Sequence, residues 1–242
     1  MNSTQVLNMV VSFKNYVNYD IRLMIGTMTS YKVLNGQPTK WVNVFPKPEN
    51  LKDIFSGITG RTINCIHYAD YDNNHDLCNT LTRLADLCGK GLHAIQLDMV
   101  WPDPKELEKF KKFHNQSIVL QVSSESMRQC GDNPIAVAER IRTEYAGLIS
   151  HVLLDCSMGK GIAIDVNLIE GYIQAINAKT DVDIAIAGGL GPDTVSQVED
   201  LISKYRVSID AQSKLRTSGN AMEPIDWHLA KMYLHRAVGY YL

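Results

Sequence analysis

The sequence predicts an α/β fold, a (β/α)8 TIM barrel with an N-terminal extension and an irregular first crossover. Three observations carry this. Short β-rich runs alternate with stretches of helical periodicity along most of the chain, the grammar of strand, crossover helix and parallel strand. With both early runs included, the strands number eight, the count that closes such a barrel. The 242 residues also match the usual ~250 of that architecture. No Pro/Ser-rich linker, low-complexity tract or charge block interrupts the pattern, so residues 1–242 read as a single domain with 1–19 as the extension. An open doubly wound sheet is the alternative, because strand order is not legible in one sequence.

The elements follow in order. Residues 3–16 form an extra segment expected to cap the N-terminal end of the barrel, before strands at 21–29 and 41–45. Between those strands, Gly36 and Pro38 make a poor helix, hence the irregular crossover. Helical periodicity resumes at 49–56 and a β-branched strand follows at 62–68. A helix at 76–87 carries Leu77, Leu81, Leu84 and Leu87 on one stripe and stops at Gly89. Next come a strand at 92–97, a helix at 104–113 with Asp103 as N-cap, and a strand at 117–122. The Asn133-Pro134 pair opens a helix to about residue 145, and a strand occupies 152–154. The last third reads as a helix at 165–178, a strand at 183–187, a helix at 192–204, a strand at 207–211 and a closing helix at 224–238.

Composition excludes several function classes. Twenty-four basic against 26 acidic residues give a net charge of −2, which offers no global attraction for nucleic acid or an anionic membrane. No apolar run approaches the roughly 18 residues of a membrane span. The first residues lack a basic region and a small-residue cleavage site, so a cytoplasmic location is expected. Five cysteines without C-x-x-C spacing read as reduced thiols, and seven scattered histidines without a helix-face pair show no metal site.

In a parallel barrel the chemistry sits at the carboxyl ends of the strands. Three loops qualify. The first follows Leu153-Leu154-Asp155 and contains Gly159, Lys160 and Gly161. Alternation places Asp155 on the face of Leu153 and His151, with Asp155 at the mouth and His151 deep as a packed residue. Asp155 there reads either as a proton-transfer group or as a loop cap. The second is Gly188-Gly189-Leu190-Gly191-Pro192, where missing Cβ atoms let backbone N–H groups approach an anion. The third spans 210–219, with Ser213, Lys214 and Arg216 as either phosphate-facing or solvated groups. Together the last two loops occupy the strand ends at which many barrels bind phosphate.

The order of these segments resembles phosphoribosylanthranilate isomerase, the tryptophan-biosynthesis barrel. That family typically has L-L-D, then G-T-G-x-x-F-D-W, then L-A-G-G-L-x-P-x-N-V, then V-D-V-S-S-G. The matching stretches are Leu153 to Asp155, Gly159 to Val166, Ile186 to Val195 and Ile209 to Lys214. Upstream, Gln96-Leu97-Asp98 is similar to the family's Q-L-H-G, and 44–48 to its F-x-P-x-S-P-R segment. The resemblance is good over the last third and thin over the first half.

It implies an Amadori-type aldose-to-ketose isomerisation of a phosphoribosylated amine, without cofactor or metal, by a monomer or homodimer. Asp155 would be the general acid. Gln96, Gly159, Gly161, Gly188, Gly189, Ser213 and Lys214 would bind the substrate and its phosphate. The family's base is a cysteine in the first strand, in K-[IV]-C-G, and Ile25 stands at that position. Asp98 is then the leading substitute base, with Cys156 behind it because a thiol needs a lowered pKa. The family's arginine for the anthranilate carboxylate has no counterpart, and nearby Lys47 lacks the guanidinium fork. Two other classes stay open: a different phosphosugar isomerase or epimerase on the same barrel, and a catalytically inactive phosphosugar-binding barrel. An aldolase is disfavoured, since Lys160 and Lys214 lie on loops rather than in strands.

Overall fold

The computed structural model describes residues 2–16, 20–41, 44–56, 62–72, 76–155 and 164–242, excepting the side chains of Ser3 and Asn15. The chain divides into two compact units, Met1–Ile118 with Met222–Pro224, and Val119–Ala221 with Ile225–Leu242.

The first unit opens with α1 (Ser3–Phe13), capped by Asn2, whose side chain accepts from the Gln5 N–H while Gln5 bonds back. Its buried Val6, Val10 and Phe13 follow helical spacing. Then come β1 (Leu23–Ser30), the one-turn α2 (Tyr31–Leu34) and α3 (Leu51–Ser56). The unit continues through β2 (Thr62–Ala69), α4 (Leu77–Cys88), β3 (Ala94–Asp98) and α5 (Pro104–Lys111). Helix α1 packs on α3 and β1, α3 on α4, and α4 on α5. The three strands are parallel, with Met28 opposite His67, His67 opposite Gln96 and Ala69 opposite Asp98.

That register sorts the strands into two faces. Ile25, Thr27, Thr29, Asn64, Ile66, Tyr68, Ile95 and Leu97 form the deeply buried face that crossover helices cover. Gly26, Met28, Cys65, His67, Gln96 and Asp98 form the other.

The second unit carries β4 (Ser117–Ser123, from Val119 onward), α6 (Ser124–Gln129), α7 (Pro134–Glu144), β5 (His151–Asp155) and α8 (Val166–Asn177). It ends with β6 (Asp183–Ala187), α9 (Glu199–Tyr205), β7 (Ser208–Ile209) and α10 (Trp227–Gly239). Its strands are parallel and paired in chain order. One face carries Leu120, Val122, Val152, Leu154, Ile184 and Ile186, all buried. On the other, Val119, Leu153 and Ala187 form an apolar cluster, with Ala187 level with Asp155.

Several expectations are corrected. The expected strand at 41–45 is not formed by its described residues, 42 and 43 lying outside them: the N–H groups of Val44 and Phe45 both donate to the Trp41 carbonyl, at 2.9 and 3.0 Å. Trp41 and Phe45, four residues apart, stack with ring centroids 5.9 Å apart. The W-V-N-V-F alternation imitates a strand, yet the i,i+4 aromatic pair suits a helical turn better. Seven parallel strands therefore stand among the described residues, and an eighth does not. The expected helix at 192–204 begins only with a 3₁₀ turn at Val195–Val198. Before it, Thr194 and Val195 both donate to the Gly191 carbonyl, which holds the chain in a loop. The strand at 207–211 shortens to Ser208–Ile209. Helix α6 was not expected; Ser123 caps it through the Ser126 N–H.

Candidate functional site

Two polar clusters lie at strand ends, one in each unit. In the first unit Asp98 ends β3 and is 8% exposed. Its Oδ2 accepts from Tyr71 Oη at 2.5 Å and lies 3.1 Å from His67 Nε2. Gln96 Nε2 approaches the other ring nitrogen, His67 Nδ1, at 3.2 Å. The register makes this chain: His67 sits level with Gln96, and Asp98 follows one pleat later on the same face. Gln96 and Asp98, predicted for separate tasks, are thus joined through His67.

Ile25 does not share that face. It is buried with Asn64 opposite it, on the side covered by helices. On the face of Asp98, strand β1 presents Gly26 and Met28, neither able to exchange a proton, and Ser30, level with Ala69 and Asp98, whose hydroxyl accepts from the Val33 N–H.

In the second unit Asp155 ends β5, is 7% exposed, and accepts a hydrogen bond from Gln121 Nε2 at 3.2 Å. Parallel pairing puts Asp155 level with Ser123 and Ala187. His151, at the opposite end of the same strand, has Nδ1 2.9 Å from Ser150 Oγ and Nε2 3.6 Å from Asp183. Burial pushes its pKa below the ordinary imidazole value, against an opposing pull from Asp183. The unfolded chain, with imidazole near about 6.5, therefore takes up this proton first. The stabilising contribution is complete above that pH and is lost as pH falls through the folded-state value. A His151→Gln variant should show a flatter decline of Tm on the acid side of about pH 6.5. An unchanged acid limb would count against this.

Beyond β6, Gly188 and Gly189 adopt φ of 130° and 61°, conformations open to glycine and strained for other residues. Thr194 Oγ1 donates to the Gly189 carbonyl at 2.7 Å, closing the turn. Arg236 of α10 braces the loop through the Pro192 carbonyl at 2.5 Å and Asp193 at 2.8 Å. Gly191 brings this loop against the segment after β7, since a Cβ there would lie 2.5 Å from Lys214 Cβ. Gly188, Gly189, Ser213 and Lys214 are therefore gathered in one region. Ser213 is buried and Lys214 exposed, while Arg216 is buried with its guanidinium donating to the Gln212 carbonyl. Burial lowers the pKa of that guanidinium, which is to say it disfavours the charge. Replacing Gly191 by alanine should cost about 1–3 kcal/mol of stability by overpacking, read from the urea midpoint. A wild-type midpoint would refute the contact.

Gly159, Gly161, Lys160 and Cys156 lie outside the described residues. His67, Tyr71 and Gln121 were missed in the sequence. The signal for two of them is a polar residue interrupting a buried strand, His67 in T-I-N-C-I-H-Y and Gln121 in S-I-V-L-Q-V. Among the described residues no cluster of three or more His, Cys, Asp or Glu has metal-binding geometry, and no helix is long and apolar enough to cross a membrane.

No family model matches the sequence, and no curated protein matches it. Solved structures do. Phosphoribosylanthranilate isomerase from Thermotoga maritima superposes with a TM-score of 0.65 at 18% identity, covering 99% of this chain and 95% of that one. The Thermus thermophilus enzyme gives 0.64 at 13%, covering 97% and 94%. A phosphoribosylanthranilate isomerase bound to reduced 1-(o-carboxyphenylamino)-1-deoxyribulose 5-phosphate gives 0.64 at 17%, covering 98% and 94%. Nearly the whole chain thus follows one α/β framework at low identity, and the protein has the fold of the phosphoribosylanthranilate isomerases.

Proposed function

We propose that the protein catalyses an Amadori-type isomerisation of a phosphoribosylated amine to a 1-deoxyketose. The observation that carries this reading is Asp155, a buried carboxylate at the end of β5 held by Gln121, in the fold of enzymes that perform this reaction. Asp155 donates a proton to the furanose ring oxygen as the C1–O bond breaks, leaving a C1 iminium. The resulting carboxylate is stabilised by the Gln121 amide. Asp98 then removes the C2 proton, and the enolamine becomes the ketone as C1 gains a proton. No electrons leave the substrate, so the reaction requires no cofactor.

The Gly188–Gly189 turn, Ser213 and Lys214 hold the phosphate, with Gly159 and Gly161 adding backbone donors and Gln96 facing the substrate. An anion near buried Arg216 would relieve the cost of burying its charge. In the same reading residues 1–242 form one (β/α)8 barrel with 1–19 as an N-terminal extension and an irregular first crossover. It works in the cytoplasm as a monomer or homodimer.

Purified protein should convert phosphoribosylanthranilate with loss of its fluorescence. Tight binding of a phosphosugar analogue with no turnover of that substrate or of other phosphoribosylated amines would refute the proposal. It would support instead an inactive binding barrel, which the lack of an ionisable group on β1 favours.

A further inference from the structure

We infer that His67 and Tyr71 are positioning residues that aim Asp98 as the proton acceptor, an inference resting on the isomerase reading above. Gln96, His67 and Asp98 occupy adjacent places on one largely buried sheet face, where aliphatic side chains would pack without desolvating polar groups. Such a group of residues is tolerable when its members satisfy one another, and these do in a directional order.

The Gln96 amide nitrogen donates to His67 Nδ1, which must then carry the lone pair. The ring proton is consequently on Nε2 and points at Asp98 Oδ2. Tyr71 Oη donates to the same oxygen. Both donors converge on Oδ2, so Oδ1 is the atom left to take a proton from a ligand. With both ring nitrogens engaged, His67 acts through Asp98 rather than on the substrate.

The surroundings fit this assignment. The groups facing the pair are Tyr71 from the loop after β2, Gln96 on β3, Cys65 one pleat back on β2, and uncharged Met28 and Ser30 on β1. In the step itself the C2–H bond breaks and its proton goes to Asp98 Oδ1. The C–H electron pair forms the C1=C2 bond, and the iminium π pair returns to nitrogen. His67 remains neutral and donating before and after, so the network supports the carboxylate without rearranging.

The test compares His67→Leu, His67→Gln and Tyr71→Phe by steady-state kinetics across pH, with Tm as the fold check. Each donor to Asp98 Oδ2 favours the charged carboxylate, the form that takes the proton. Leucine at 67 and phenylalanine at 71 should each lower kcat about 10- to 100-fold with little change in KM, and shift the acid limb of kcat to higher pH. Glutamine at 67 keeps an N–H donor and should restore most of kcat and the limb. Wild-type kcat and limb in the leucine and phenylalanine variants would overturn the inference. So would a loss of kcat with an unmoved limb that glutamine fails to rescue.

Nitrogen NMR of the imidazole supplies a readout that needs no turnover. Protonated Nε2 and bare Nδ1, with the Nε2 resonance moved by Asp98→Asn, support the arrangement, whereas the opposite tautomer refutes it. Silence of the wild type on every phosphoribosylated amine defeats the isomerase reading and the base assignment with it. An active wild type with indifferent variants defeats the positioning roles alone.

Discussion

Asp155→Asn is expected to reduce kcat for phosphoribosylanthranilate about 10³-fold, with KM changed by a small factor. The substitution keeps the shape of the side chain and removes the proton that opens the furanose ring. Gln121 can still meet an amide oxygen at the position of Asp155 Oδ2, so the end of β5 keeps its hydrogen bond and the fold is retained. Loss confined to kcat is the signature of a group acting in the transition state rather than in binding. Stopped-flow fluorescence of substrate decay, with analogue binding measured alongside, checks both halves. An active asparagine variant would remove Asp155 as the acid and leave it as a buried carboxylate held by Gln121.

The largest expected loss of stability falls at Phe110. This residue of α5 has no exposed surface and stacks on His114 with centroids 4.4 Å apart. Leu107 is buried one helical turn earlier on the same helix. Phe110→Ala removes the ring and opens a cavity that backbone elements close only in part, a change costing about 3–5 kcal/mol. Urea unfolding should show a lowered midpoint with an unchanged m-value. A shift below about 1 kcal/mol would mean that the helix collapses into the space.

The two predictions draw on different kinds of legibility. The helix that carries Phe110 was readable because Asp103 caps it and Pro104 opens it. Asp155 was readable because an apolar strand ended in a carboxylate. What escaped was pairing between strands. His67 becomes chemically meaningful only when the β2–β3 register sets it beside Gln96 and below Asp98, and register is a property of two segments 29 residues apart. The same limit misled the placement of Ile25. Motif position put it where a base belongs, whereas pairing with Asn64 turns it to the helix-covered face. Local alternation also failed at Trp41, Val44 and Phe45, where an aromatic pair four apart outweighed strand propensity.

Gly26 shows what this bare stretch of β1 leaves open. A Cβ added there meets nothing within 4 Å among the described residues, and its φ lies outside the left-handed range. Thr27 and Thr29, its neighbours along the strand, are fully enclosed and have no such freedom. The fold therefore has room at position 26 for a first side-chain carbon, and a small side chain can be added there without displacing a neighbour among the described residues. Across descendants of such a framework, chemistry at this strand can diverge while the scaffold stays unchanged.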